Sequence, residues 1–529
     1  MALMATVVLT ASSVFAQTGP TVEVRVRSLN DLFDKAEYFG DVLNQAEAGK
    51  QAVAFVKNLG DDKKGIEGVD PTRPIGLYAT LTKDVVDSPV ILMIPLSDET
   101  AFLELLSGKL GIDPKKGENG IYEISVPDFP APVFFCFVNK YIYVTVQDAK
   151  HLDVKKLTEP KDFFTKPDDA VMTAQVHFDR IPADVAKVVL GQYELKAADG
   201  KTTRKPADET DAAFKFRGWQ IDQLTESIAM ILNHGKDLNL RLLVEPKTDD
   251  LILEATFTAK AGSPLAKIFK GLDGRTSAAA GLPLPSGGMA RGSMKLGLTD
   301  EAKKDFSSVL ELLGKEFLAS KKDFELQASK MAYDAILPTL NAGEIEVGFH
   351  VSSPNAKGHF TALGAMKVTE GMRIDKALKQ FAPFLPEDQG KVELDIEKIG
   401  SVALHKITLA NADIEALFGT KFIWIGTSET LFLMSVEPEG KAIRAAAKAI
   451  PGKVGVANVS LAVSQLVLVT EKALTREKLQ ALAEEALGKP AGSDLVTLSI
   501  VGGDSVKVKF NVKGKAVKFA ALVDQEKKK

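Results

Sequence analysis

Short runs of alternating apolar and polar residues recur along this chain, joined in pairs across tight turns. Each pair leads into a stretch whose apolar positions repeat every three or four residues. Period two marks a strand with one buried face, and a period near 3.6 marks a helix with an apolar stripe. In the last pair, Leu495, Thr497, Ser499 and Val501 alternate into Gly502-Gly503-Asp504, and Val506, Val508, Phe510 and Val512 alternate out. That pattern predicts a β-hairpin with one apolar face, followed by a helix over 516–523.

The same order is read at three earlier places. Residues 238–245 and 251–259 flank the turn Pro246 to Asp250 and enter a helix near Ser263-Pro264, with proline at the favoured first helical position. Residues 344–352 and 359–367 flank Ser353-Pro354-Asn355 and precede a helix carrying Ile374, Ala377, Leu378 and Phe381 on one face. Residues 77–82 and 90–95 precede a helix over 98–110, capped by Ser97, with Phe102, Leu105, Leu106 and Leu110 inward and Gly111 as its stop.

Two of these copies continue alike. After 98–110 come strands near 122–126, 133–138 and 141–147; after 374–382 come strands near 392–398, 402–409, 422–426 and 430–436, then a helix over 438–450. Further helices are predicted over 28–58 with a break at Gly49, and over 181–195, 219–233, 299–318 and 475–487. His234 and Gly235 close the third of these, where a histidine complements the helix dipole. The uncharged run Val454 to Thr470 reads as strand, and Lys196 to Ala212, without a large apolar residue, as a mobile exposed loop. Hairpins followed by helices build antiparallel sheets with helices on one face, an α+β fold. The recurrence predicts two related lobes, 17–235 and 236–529.

These patterns resemble a group of bacterial exported proteins of unknown function that carry the same module. The likeness rests on Ser97-Asp98-Glu99 opening a helix, the strand Gly120-Ile121-Tyr122-Glu123, the aromatic hairpin Phe134 to Val146, and Asp148-Ala149-Lys150-His151-Leu152. It spans residues 77–179 and, more faintly, 343–450. The resemblance implies an exported, repeat-built α+β protein and brings no catalytic residues.

Residues 1–16 are an uncharged apolar run ending in Val14-Phe15-Ala16, which reads as the back half of a signal peptide cleaved after Ala16, although no Lys or Arg precedes Arg25. Sixteen residues fall short of the about 20 needed to cross a bilayer, and no other segment reads as a transmembrane span. The expected location is the periplasm or the extracellular side of the cell envelope.

With 529 residues and 45% hydrophobic content there is material for more than one core. The charges nearly balance, 66 basic against 70 acidic, so no overall field favours nucleic acid. One cysteine, Cys136, allows no internal disulfide, and its aromatic neighbours place it in a buried strand.

Candidate chemistry is sparse. Gly200-Lys201-Thr202 has Leu195 where a phosphate loop needs glycine, and there is no Gly-x-Ser-x-Gly elbow and no Ser-x-x-Lys pair. Six histidines, at 151, 177, 234, 350, 359 and 405, show no ligand spacing; His350 and His359 are expected to face each other across a hairpin without a third ligand. The doublets Asp61-Asp62, Asp168-Asp169, Asp249-Asp250 and Glu484-Glu485 diverge in a strand or helix, which does not suit glycoside chemistry. No metal, cofactor or catalytic residue is assigned. The expected function is a noncatalytic envelope protein that binds or scaffolds an envelope partner. The alternative is a carrier of an apolar ligand such as a lipid or lipoprotein acyl chain, held in a cavity lined by Phe102, Leu106, Phe135 and Tyr143. Close interdigitation of such side chains would favour the scaffold, and a large open cavity in either lobe the carrier.

Overall fold

A computed structural model describes residues 19–528 apart from 43–65, 126–130, 147, 166–167, 204–208, 274, 278–287, 320, 387, 389, 472 and 489–492. The leader expected at 1–16 lies outside the described residues. The chain is α+β. It divides into two compact units, residues 1–190, 230–266 and 513–526, and residues 191–229, 267–512 and 527–529.

In the first unit the strands are β1 (Val22–Val26), β2 (Ile75–Ala79), β3 (Val90–Pro95), β4 (Lys115–Lys116), β5 (Tyr122–Ile124), β6 (Val133–Val138), β7 (Tyr141–Val146), β8 (Met172–His177), β9 (Gly235–Glu245) and β10 (Asp250–Ala259). They pair in the order β4-β5-β6-β7-β3-β2-β1-β8-β9-β10, and every neighbouring pair is antiparallel. Helix α1 (Leu29–Val42) follows β1. Helix α2 (Glu99–Glu104) is capped by Asp98, one residue later than the sequence suggests, and runs into a π-helical turn at Leu105–Lys109. The short α3 (Pro160–Phe163) lies after β7. The cut expected at Gly235 falls at the start of β9, which stays with the first unit because its register against β8 is continuous from Asp237 to Leu242.

The chain leaves the first unit through α4 (Ala183–Thr202) and returns to it through α5 (Asp211–His234). The loop expected from Lys196 is helical to Thr202, since Lys and Ala favour helix even where no apolar face demands it. Arg217 on α5 ties the two helices together by donating to the carbonyl oxygens of Gly200 and Thr203 and pairing with Glu209. After β10 comes α6 (Pro264–Gly271).

The second unit opens with β11 (Arg275–Ser277). It continues with β12 (Ala290–Gly297), α7 (Asp300–Ala319), α8 (Asp323–Asn341), β13 (Glu344–Val351), β14 (Ala362–Lys367), α9 (Met372–Phe381), β15 (Gly390–Ile399), β16 (Val402–Leu409) and α10 (Ala412–Phe418). Then come β17 (Phe422–Thr427), β18 (Leu431–Val436), α11 (Lys441–Ala447), β19 (Gly452–Val454), β20 (Ala457–Ala462), α12 (Val463–Thr470), α13 (Arg476–Leu487), β21 (Leu495–Val501) and β22 (Ser505–Lys513). The sheet order is β15-β16-β17-β18-β14-β13-β12-β20-β21-β22, again wholly antiparallel; β11 pairs with β19 apart from it. The strand expected over 454–470 stops at Ala462. There the Asp494 carboxylate accepts the Ser464 backbone N–H at 3.0 Å and starts α12.

The last helix, α14 (Gly514–Lys527), packs with the first unit, where Asp249 in the β9–β10 turn anchors it. The Asp249 carbonyl accepts from Gly514 N at 2.9 Å and its carboxylate from Lys515 N at 2.9 Å. In the second unit the β21–β22 turn is held in a similar way, Gly503 N donating to Phe269 O of α6 at 3.0 Å.

Candidate functional site

Strand parity decides where the four expected cavity residues go. Phe135 pairs with Val144, and Tyr143 pairs with Cys136, so Phe135 and Tyr143 point to opposite faces of the first sheet. On one face Phe102, Leu106 and Phe135 meet in a closed core with Tyr122 and Phe137. The Phe102 ring stands edge-on to Phe135 at 6.0 Å between centroids, and Tyr122 stacks on Phe135 at 5.0 Å. On the other face Tyr143 is fully buried with Tyr78, Cys136 and Phe163, its hydroxyl donating to Thr158 O at 2.9 Å. The four side chains line no common cavity. Burial pushes the Cys136 thiol up to about 11, so it is an inert core residue at neutral pH.

The second unit is different. The face of that sheet toward α11 is closed: Leu363, Leu404, Trp424 and Leu433 pack on Ile443 and Ala446. The other face lies beneath α8 and α9, so helices cover both faces of this sheet and not one as the sequence suggests, and it holds a pocket of about 540 Å³. From α9 come Ile374, Ala377, Leu378 and Phe381, the stripe read in the sequence. Ala328, Ala332, Ala335 and Ile336 come from α8, and Phe317 from α7. The floor is Met366 of β14, Ile425 of β17 and Phe432 of β18; Met366 and Phe432 are register partners, so their side chains rise side by side. Helical spacing puts alanine at 328, 332, 335 and 377, where longer side chains would close the gap. Gly364, on the same face as Met366, adds no side chain, and a β-carbon there would meet nothing nearer than 4.0 Å.

The walls are fixed from outside the pocket. Tyr333 of α8 donates its hydroxyl proton to Leu310 O of α7 at 2.9 Å, and Thr369 N donates to Thr339 Oγ1 at 2.9 Å. On the far flank of α9, Asp375 meets a histidine that the sequence reading left without a role. His405 is fully buried, its Nε2 lying 3.1 Å from Asp375 Oδ1 and 3.2 Å from Thr427 Oγ1. Its Nδ1 accepts the Asp395 backbone N–H at 3.1 Å, so the proton sits on Nε2 and faces Asp375. Burial lowers the His405 pKa, with Asp375 and Asp395 opposing that effect in part. Lys379 Nζ spans both carboxylates, 2.9 Å from Asp375 and 3.0 Å from Asp395, and these hydrogen bonds raise its pKa. Since His405 is the register partner of Ile425, this polar network abuts the pocket floor. A lone histidine in a strand gives no hint of such a network until register brings Thr427 and Asp375 to it.

His350 and His359 do not face each other: His350 pairs with Leu363, and β14 begins only at Ala362. Among the described residues the pocket lining contains no side chain that ionises, and Ser329 carries its one hydroxyl. It offers volume and apolar contact. Among the described residues no helix is long and apolar enough to cross a membrane. No family model, curated protein or solved structure matches the chain.

Proposed function

We propose that this chain is an exported, noncatalytic carrier of an apolar ligand, of the class of a lipid acyl chain, bound in the second unit between α8, α9 and the sheet. The observation that carries the reading is the pocket itself. Its volume of about 540 Å³ lies within the range of about 300–1,000 Å³ usual for ligand sites. It is several times the roughly 150 Å³ at which an apolar cavity already takes up a small hydrocarbon. A lining without charge suits a hydrocarbon chain whose polar head stays in solvent.

The same reading includes two related units built from one module. Support comes from the strand orders, which correspond position by position through all ten strands, and from α2 and α9, each placed between the third and fourth strands of its sheet. If the module is shared, one copy is filled by Phe102, Tyr122, Phe135 and Phe137, while the other carries smaller or more flexible side chains and stays open. A pure scaffold gives no reason for that difference. Export rests on residues 1–16 alone.

The test is displacement of a fluorescent fatty acid from the purified full-length chain, with the bound species counted by native mass spectrometry. One equivalent should bind saturably, and Ala377→Trp or Ala332→Phe should block it while the protein stays folded. Absence of saturable binding, or binding indifferent to both substitutions, would remove the carrier reading and return the scaffold to first place.

A further inference from the structure

Strand β8 ends at His177, whose register partner on β9 is Asp237. The chain then turns through Phe178–Arg180, which brings Asp179 back beside the same ring. His177 Nδ1 lies 2.6 Å from Asp237 Oδ1, and one donor atom each from His177, Asp179 and Asp237 lie within 4.8 Å of one another. The other ring nitrogen, Nε2, lies 3.3 Å from Glu23 Oε1. Glu23 is itself buried and held by Arg25 and by Arg180, the latter at 3.5 Å.

Such an imidazole, with a carboxylate behind one nitrogen and further carboxylates before the other, has the form of a metal-bound histidine. The rear carboxylate fixes the tautomer and leaves the front nitrogen to the ion. Two more features point the same way. The Oδ1 atom of Asp179 is buried and has no hydrogen-bond partner, a costly state for a carboxylate unless a cation completes it. Among the described residues, no lysine or arginine forms an ion pair with Asp179 or Asp237; Arg25 pairs with Glu23, and Arg180 Nη1 donates to Pro20 O at 2.7 Å and lies 3.5 Å from Glu23.

The cluster of Asp375, Asp395 and His405 shows what a closed case looks like. Its donor atoms converge as closely, but Lys379 already supplies the cation to both carboxylates, and His405 Nδ1 already accepts a backbone N–H.

We propose that His177, Asp179 and Asp237 bind a divalent first-row transition ion of the zinc type, with Glu23 as the outer partner of the histidine. One nitrogen and two carboxylate donors suit such an ion. The site sits at one end of a polar strip on the same sheet face, where Arg25, Thr173, Gln175 and Asn239 line a cavity of about 430 Å³.

Metal-stripped full-length protein titrated with Zn²⁺ by calorimetry, and with Co²⁺ by visible absorption, tests this. One equivalent should bind; Asp179→Asn should weaken binding at least tenfold, and Glu23→Gln by about 10–100-fold. Asp375→Asn should leave it unchanged. A rise in Tm on adding Zn²⁺ should be present in the wild type and absent in Asp179→Asn, which keeps the side chain's size and shape and so keeps the test readable if His177→Gln does not fold. Lack of stoichiometric binding by the wild type, or affinity untouched by Asp179→Asn, would overturn the assignment and leave His177 as a structural ion-pair residue.

Discussion

His405 Nε2 lies 3.1 Å from Asp375 Oδ1, joining the middle of β16 to the first turns of α9. One flank of α9 is thus pinned to the sheet by a buried polar bond while the neighbouring stripe, Ile374, Ala377, Leu378 and Phe381, borders the pocket. An apolar helix face left partly unfilled gains little from packing, so the helix needs a second attachment, and Asp375 supplies it.

The burial of His405 has a pH signature. Its pKa in the fold is lowered from the ordinary 6.5, so the unfolded chain takes up this proton more readily than the folded one. Stability from the neutral ring is therefore complete above the ordinary value. It is lost as pH falls from there toward the lowered folded value, below which no further change arises from this group. Denaturant unfolding at a series of pH values should show this loss in the wild type. His405→Gln should flatten it while lowering stability at neutral pH, and an unchanged slope would show that other groups cause it.

Truncation of the filled face and of the open face should differ in cost. Phe135→Ala removes a ring 2% exposed and packed against Phe102 and Tyr122, and should cost about 3–5 kcal/mol. Phe432→Ala enlarges an existing pocket, strips fewer contacts and should cost less, about 1–3 kcal/mol. Urea midpoints at constant m measure both.

Asp249 should hold α14. Its carboxylate accepts Lys515 N at 2.9 Å and the Tyr38 hydroxyl at 2.8 Å, and its own φ of 59° suits Asp or Asn better than alanine. Asp249→Ala should destabilise the chain by about 1–2 kcal/mol through the lost cap, with early protection loss in 514–527 by hydrogen exchange. Asp249→Asn should recover most of it.

Gly371 should be intolerant of any side chain. A β-carbon there would lie 2.1 Å from Ser428 O and 2.6 Å from Val368 Cγ2, so Gly371→Ala must push the start of α9 off the β17–β18 loop. The expected cost is about 1–3 kcal/mol from overpacking, with weaker fatty-acid binding because α9 forms one wall of the pocket. Full affinity in a destabilised variant would uncouple α9 from the site.

If residues 1–16 direct export, protein recovered from the native host should begin at Gln17, as N-terminal sequencing would read. Met1 intact on cytoplasmic protein would end that reading.

Most elements are legible locally. The alternation at 495–501 and 505–513 and the stripe at 374–381 are written in neighbouring residues, because strand and helix periods depend only on the chain's own geometry. So is the burial of Cys136, set by its aromatic neighbours. Helix α8, the extension of α4 to Thr202 and the switch from strand to helix at Val463 escaped, since local patterns there are compatible with more than one state. What only the tertiary structure decided is which residues meet. Register sends Phe135 and Tyr143 to opposite faces, sets His177 against Asp237, and brings Thr427 to His405. The pocket is the clearest case, because a void is a property of the distance between packed elements. The stripe on α9 is as apolar as that on α2, and only the side chains opposite, rings beneath α2 but Met366, Ile425 and the alanines of α8 around α9, determine that one face closes and the other stays open.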